Sequence, residues 1–227
     1  RSNVTVSYAG TSWPPQAELL TPARRHPEFR EAGIGKGLPL EVSVNPADTF
    51  ERKRANQWRL VDVDQDGARE LVVGIGDWQQ YGWDDAYDAQ GNWTNGPLHG
   101  YVYVAKNRGT DEAPQYDTPE RLQAGGAEVD VYGMPSPNFA DFDADGDVDL
   151  ICGEFVDAMT WFENVGGATT PEFAAGRPLR AGGSELHMEL CMIVPVAVDW
   201  DGDGDVDLVV GQEDGRVALV ENLGQVD

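Results

Sequence analysis

The hydrophobic positions of this chain fall in short runs, and three of the runs share one context. Leu71-Val72-Val73, Leu150-Ile151-Cys152 and Leu208-Val209-Val210 each follow an acidic stretch, and each is closed by a glycine: Gly74, Gly153 and Gly211. Apolar runs this short, rich in β-branched residues and bounded by Gly and Asp, read as buried strands. A second kind of run mixes aromatic and aliphatic residues and ends at Asn: Tyr101 to Asn107, Thr160 to Asn164 and Val217 to Asn222. No long segment keeps a 3.6-residue period. Pro22 to Arg30 is the one stretch in which a single helical turn is expected.

The runs belong to a repeat. Leu60–Gly74, Phe139–Gly153 and Ala197–Gly211 align residue for residue, with their first Asp at positions 62, 141 and 199. Asp141 to Asn164 and Asp199 to Asn222 both span 23 residues, whereas Asp62 to Asn107 spans 45, so the first copy carries 22 extra residues. After the Asn comes a Pro-containing segment closed by Ala-Gly-Gly, Pro114 to Gly126 and again Pro171 to Gly183. The underlying unit of about 58 residues reads as four strands. Four short strands at a fixed period are the pattern of a β-propeller blade, and one such sheet cannot bury both of its faces alone.

The expected fold is therefore all-β: a propeller of four-stranded blades, about three to four in this chain, with the repeats over 55–227 and blades starting near residues 55, 136 and 194. That is an incomplete ring, to be completed by the remainder of a larger chain or by a second copy. The third repeat stops soon after its third strand. Residues 1–54 hold no acidic loop and read as outer strands of a preceding blade or as an N-terminal extension. A four-bladed disc whose N-terminal strand completes the last blade is the alternative.

The net charge is −24, from 40 acidic and 16 basic residues. An anion this strong repels phosphate backbones, which argues against nucleic acid as a partner. No apolar run is long enough for a membrane helix. The chain starts at Arg1 with no signal-peptide h-region, as a processed or trimmed product would, and a secreted or periplasmic location is the expectation. Cys152 and Cys191 sit in apolar stretches and read as small buried hydrophobes, a disulfide between them being left open.

Fourteen of the 40 carboxylates lie in three nine-residue windows of the form D-x-D-x-D-G-x-x-D/E. Calcium takes six to eight oxygen ligands, and side chains at loop positions 1, 3 and 5 can converge on one centre. They are Asp62, Asp64 and Asp66; Asp141, Asp143 and Asp145; Asp199, Asp201 and Asp203. Position 6 is Gly67, Gly146 or Gly204, where the turn requires positive φ. Position 7 offers the carbonyl of Ala68, Asp147 or Asp205, and position 9 supplies Glu70, Asp149 or Asp207. An EF-hand would need Glu at position 12, where Val73, Cys152 and Val210 stand. Three Ca2+ sites are expected.

With V-D-V-D-Q-D-G-A-R-E-L-V-V-G, A-D-F-D-A-D-G-D-V-D-L-I-C-G and V-D-W-D-G-D-G-D-V-D-L-V-V-G on the page, residues 55–227 resemble FG-GAP repeats of integrin α-subunit propellers and bacterial VCBS-type repeats. The resemblance implies the calcium ligands named above. It also implies a secreted propeller that binds or processes carbohydrate on the face opposite the calcium loops, or else an adhesion or protein-interaction module. On that face the insertion Asp77–His99 carries Trp78, Tyr81, Trp83 and Asp84, which with Tyr132 would stack on and hydrogen-bond a sugar; a loop packed on itself is the plainer reading. An enzyme, a polysaccharide lyase or glycoside hydrolase, would draw on His99, His187 and Glu189, which otherwise form a polar rim.

Overall fold

The structure, a computed structural model, describes residues 4–8, 53–82 and 86–224. All regular structure among them is β, with no helix. The helical turn expected within Pro22 to Arg30, and all but the ends of the segment 1–54, lie outside the described residues.

The chain opens with β1 (Val4–Tyr8) and then builds a sheet from β2 (Lys53–Val61), β3 (Glu70–Asp77), β4 (His99–Ala105) and β5 (Glu120–Arg121). A small hairpin of β6 (Gln123–Ala124) and β7 (Ala127–Glu128) leads to β8 (Asp130–Tyr132), which returns to β4. The second sheet is β9 (Ser136–Ala140), β10 (Asp149–Gly153), β11 (Met159–Phe162) and β12 (Arg177–Pro178), followed by the hairpin β13 (Arg180–Ala181) and β14 (Ser184–Glu185). The third is β15 (Val194–Val198), β16 (Asp207–Gly211), β17 (Val217–Asn222) and, antiparallel to β17, β1. The place beyond the third strand of the last repeat is thus taken by β1, with Val4 opposite Asn222 and Tyr8 opposite Ala218. Instead of serving a preceding sheet, this strand belongs to the last one.

The acidic segments connect the first and second strands of every sheet, and in each case the next strand begins at the loop's last carboxylate: Glu70, Asp149 or Asp207. β10 is buried on both sides. Leu150 and Cys152 face a core shared with Val72, Val102 and Phe139, whereas Ile151 faces a core shared with Trp161, Leu208 and Val210. This two-sided burial is why the run Leu-Ile-Cys shows no polar alternation. Of the two cysteines, Cys152 is fully buried and Cys191 only partly; both are free.

The second sheet lies between the other two, with β9 packed against β2 and β15. Buried Asn138 ties the three innermost strands together. Its Nδ2 donates to Pro195 O at 2.7 Å, and its Oδ1 accepts from Ala197 N and from Arg59 Nη2, both at 3.4 Å. At the two junctions a glycine of one sheet receives a proline of the next. A Cβ on Gly74 would lie 2.2 Å from Pro135 O and 3.0 Å from Pro137 Cδ, and one on Gly153 would lie 2.6 Å from Pro195 Cδ.

These contacts leave no room for a methyl group. Gly74→Ala and Gly153→Ala are each expected to lower stability by about 1–3 kcal/mol, the range for overpacked cores. Thermal unfolding of the single variants measures this; unchanged melting temperatures would show that the junctions are looser than described.

Candidate metal centres

Each acidic loop is shaped first by its own backbone. In the first, Asp62 Oδ1 and Oδ2 accept from Asp66 N and Gly67 N, both at 3.0 Å, and Asp66 Oδ1 accepts from Ala68 N at 2.9 Å. The second repeats this: Asp141 accepts from Asp145 N and Gly146 N at 3.0 Å, and Asp145 Oδ1 from Asp147 N at 3.2 Å. The third departs, with Asp199 Oδ1 accepting from Gly202 N at 2.7 Å. Position 6 has positive φ in all three, at 91°, 100° and 99° for Gly67, Gly146 and Gly204. Position 4 is also left-handed, as Gln65, Ala144 and Gly202. Only the third loop has glycine there, and the motif itself does not signal this second demand.

These turns gather the carboxylates of positions 1, 3 and 5. In every loop the three side chains bring one oxygen each within 4.8 Å of one another: Asp62, Asp64 and Asp66; Asp141, Asp143 and Asp145; Asp199, Asp201 and Asp203. Each of the three triads could hold a metal ion. Two buried oxygens, Oδ1 of Asp64 and Oδ1 of Asp143, accept no hydrogen bond. A buried carboxylate oxygen without a donor is costly, and a divalent cation between the three Asp would relieve it.

The position-9 carboxylates are not part of these triads; they lie beneath them, almost fully buried. Glu70 accepts from Val63 N at 3.0 Å and Asn107 N at 3.3 Å. Asp207 accepts from Trp200 N at 2.9 Å and Asn222 N at 2.7 Å, and Asp149 from Asn164 N at 2.7 Å. They hold the loop to the end of the third strand. The Asn there continues the network: Asn107 Oδ1 accepts from Gly109 N and Gln115 N, both at 2.9 Å, and Asn164 Oδ1 from Gly166 N at 3.0 Å and Glu172 N at 2.9 Å. Neighbouring loops also touch, Gln65 Nε2 donating to Gly146 O at 3.2 Å.

Burial and like-charged neighbours work against ionisation of several of these acids. Burial pushes the Asp149 carboxyl up to about 7, with the charges of Asp143 and Asp147 adding to the effect against an opposing N–H bond from Asn164. Burial also raises Glu70, Asp143 and Asp147, reinforced in each case by neighbouring loop carboxylates. The first loop differs in one respect. The Lys106 ammonium is paired with Asp64 Oδ2, a contact that raises the Lys106 pKa. The residue preceding the strand-ending Asn in the other two repeats is Glu163 or Glu221.

At the opposite ends of the sheets the predicted rim residues are scattered among local pairs. Trp78 is buried, edge-on to Tyr81 and to Phe155 at 5.6 and 5.3 Å. Tyr81 stacks on Trp93 at 4.4 Å, and Tyr87, edge-on to the same Trp93, is exposed. Trp83 and Asp84 lie outside the described residues. Tyr132 is partly exposed; burial and a hydrogen bond with Tyr81 raise its hydroxyl to about 12. It stands across the strand pair from His99, whose Nδ1 is 2.6 Å from Asp130 Oδ2. His187 faces Asp157 at 3.2 Å and Glu185 at 3.9 Å, whereas Glu189 pairs with Arg216, so the acid/base couple expected of His187 and Glu189 is divided between different partners.

Comparison of the chain with family models, with curated proteins and with solved structures returns no match.

A carboxyl whose folded pKa is raised loses stability as pH rises from its unfolded value toward its folded one, from about pH 4 to about pH 7 for Asp149. Metal-free protein is therefore expected to melt several degrees higher at about pH 5 than at about pH 7. Millimolar calcium, which holds these groups ionised, reverses that slope. Scanning calorimetry with and without EDTA measures both arms, and parallel pH profiles would rule out the loops as metal sites.

Among the described residues, a lysine is paired with a triad carboxylate only in the first loop, Lys106 with Asp64. The first site is expected to be the weakest of three, and Lys106→Met to tighten it by an amount on the order of 1 kcal/mol, the scale of one partly exposed ion pair. Calorimetric titration with calcium resolves this; affinity unchanged in the variant would show that the ammonium does not compete.

Proposed function

We propose that this chain is a calcium-stabilised module of β-propeller type, related to FG-GAP and VCBS repeats, that works outside the cytoplasm by binding rather than by catalysis. The observation that carries the reading is the recurrence of one loop geometry. Three Asp triads stand at the same place in three successive sheets, two of them with an identical backbone hydrogen-bond frame. Three divalent cations would reduce the net charge of −24 by six and satisfy the bare oxygens of Asp64 and Asp143. Calcium fits because every side-chain donor is a carboxylate oxygen and the seventh position adds a carbonyl.

Binding is preferred to catalysis because the candidate acids and bases are engaged with different neighbours. His99 is paired with Asp130, His187 with Asp157, and Glu189 with Arg216. A lyase or hydrolase needs two such groups converging on one bond. Carbohydrate remains the proposed ligand class, with Tyr87 and Tyr132 as the exposed aromatic faces and Asp130 and His99 as hydrogen-bonding groups.

One observation favours the second reading, a protein-interaction or adhesion module. Trp78 is turned into the molecule and Tyr81 is covered by Trp93, so the insertion spends its largest aromatics on its own packing. A glycan array probed with the intact, calcium-loaded protein decides between them. Carbohydrate binding is expected to be lost in Tyr132→Ala with little change in melting temperature. Silence across the array would leave the protein-interaction reading standing alone.

A further inference from the structure

The two junctions between sheets are built alike, and the molecule carries both halves of a third one, apart from each other. At each existing junction the rear sheet supplies a glycine and an apolar residue from position 2 of its acidic loop, and the front sheet supplies a proline on its first strand. The first junction uses Gly74, buried Val63 and Pro137; the second uses Gly153, buried Phe142 and Pro195. These residues share a register, since Gly74, Gly153 and Gly211 stand opposite Gln57, Ser136 and Val194 on their neighbouring strands.

On the third sheet the rear half is open. Among the described residues, a Cβ on Gly211 would meet nothing nearer than Val194 O of its own sheet, at 4.0 Å. Trp200, in the place of Val63 and Phe142, is 62% exposed where they are 5% and 4% exposed. Val196, on the same side as Gly211, is 45% exposed. On the first sheet the front half is open in turn. Trp58, in the register of Pro137 and Pro195, is 50% exposed, and Leu60 41%, beside a groove lined by Gln57, Trp58, Arg59 and Leu60. Exposed apolar patches built in this way mark surfaces made to be covered.

We propose that the occupant is a second copy of this chain: Trp58 and Leu60 of one copy seat on Gly211, Val196 and Trp200 of the other, and two such contacts close the pair head to tail. The inference rests on the β-propeller-type reading. A second copy is favoured because the open halves continue a junction that the chain already makes twice, and both halves are carried by one molecule. The third sheet is complete, its outer edge paired to β1, so a face and not a strand edge is on offer. A contact between unlike faces either closes into a ring or grows into a filament. Closure at two copies is the committed outcome.

Light scattering of the full chain in millimolar calcium is expected to give twice the 24.7 kDa chain mass. Trp58→Glu and Gly211→Glu should each reduce it to the mass of one chain. The melting temperature of every sample is followed with calcium and with EDTA. A wild-type protein that stays at one chain's mass overturns the proposal, as does a mass above two chains, or a dimer that survives both substitutions. Calcium-dependent melting in a monomeric wild type would overturn the docking while leaving the metal sites intact; its absence in a dimer that both substitutions dissociate would do the reverse.

Discussion

Each sheet of this protein depends on a carboxylate that solvent hardly reaches. Glu70, Asp149 and Asp207 sit under the acidic loops and accept backbone N–H groups at the end of the third strand, those of Glu70 and Asp207 also accepting one from the loop itself. A buried carboxylate is tolerated only when its oxygens are supplied with donors. For Glu70 and Asp207 the donors come from two segments far apart in sequence, so the same bonds that offset the burial also fix the loop relative to the sheet, whereas Asp149 takes one donor at Oδ1 and its buried Oδ2 has none. The converging aspartates above are then a second layer, held in place by the first. Like charges that would otherwise spread are kept together by the backbone beneath them.

Much of this was legible from residue order. The D-x-D-x-D-G-x-x-D/E spacing marks the three loops, and the apolar runs after them mark β3, β10 and β16. The first strands of the three larger sheets begin at Lys53, Ser136 and Val194. What the spacing does not reveal is a division of labour inside the motif. Position 9 reads as one more ligand, and its burial and N–H partners are added by its being the first residue of a strand in the core. Lys106 is likewise silent in the sequence, because it meets Asp64 across 42 residues and only strand pairing brings them together.

The aromatic insertion shows the limit from the other side. Tryptophan and tyrosine among carboxylates have the same composition whether they present faces to a sugar or stack on each other. Tyr81 lies against Trp93 and Trp78 against Phe155, contacts between residues separated by a loop and by a whole repeat. Nothing in the local pattern distinguishes these outcomes. The origin of the third sheet's fourth strand entered the sequence reading only as the alternative, an N-terminal strand completing the last repeat, since β1 carries no acidic signal and is recognised by its partner.

That pairing joins Val4 to Asn222, residues at almost opposite ends of the chain. On a ribosome the first strand would be made long before its neighbour exists. The first and second sheets use strands that are nearly contiguous in sequence and can form as they emerge, whereas the third has to wait for β17 and then recover a strand from the start of the chain. Loop-closure entropy makes such a contact slow compared with local pairing, though its cost grows only logarithmically with length. The third sheet therefore has a built-in order of assembly, in which a strand made long before β17 takes its place only after it.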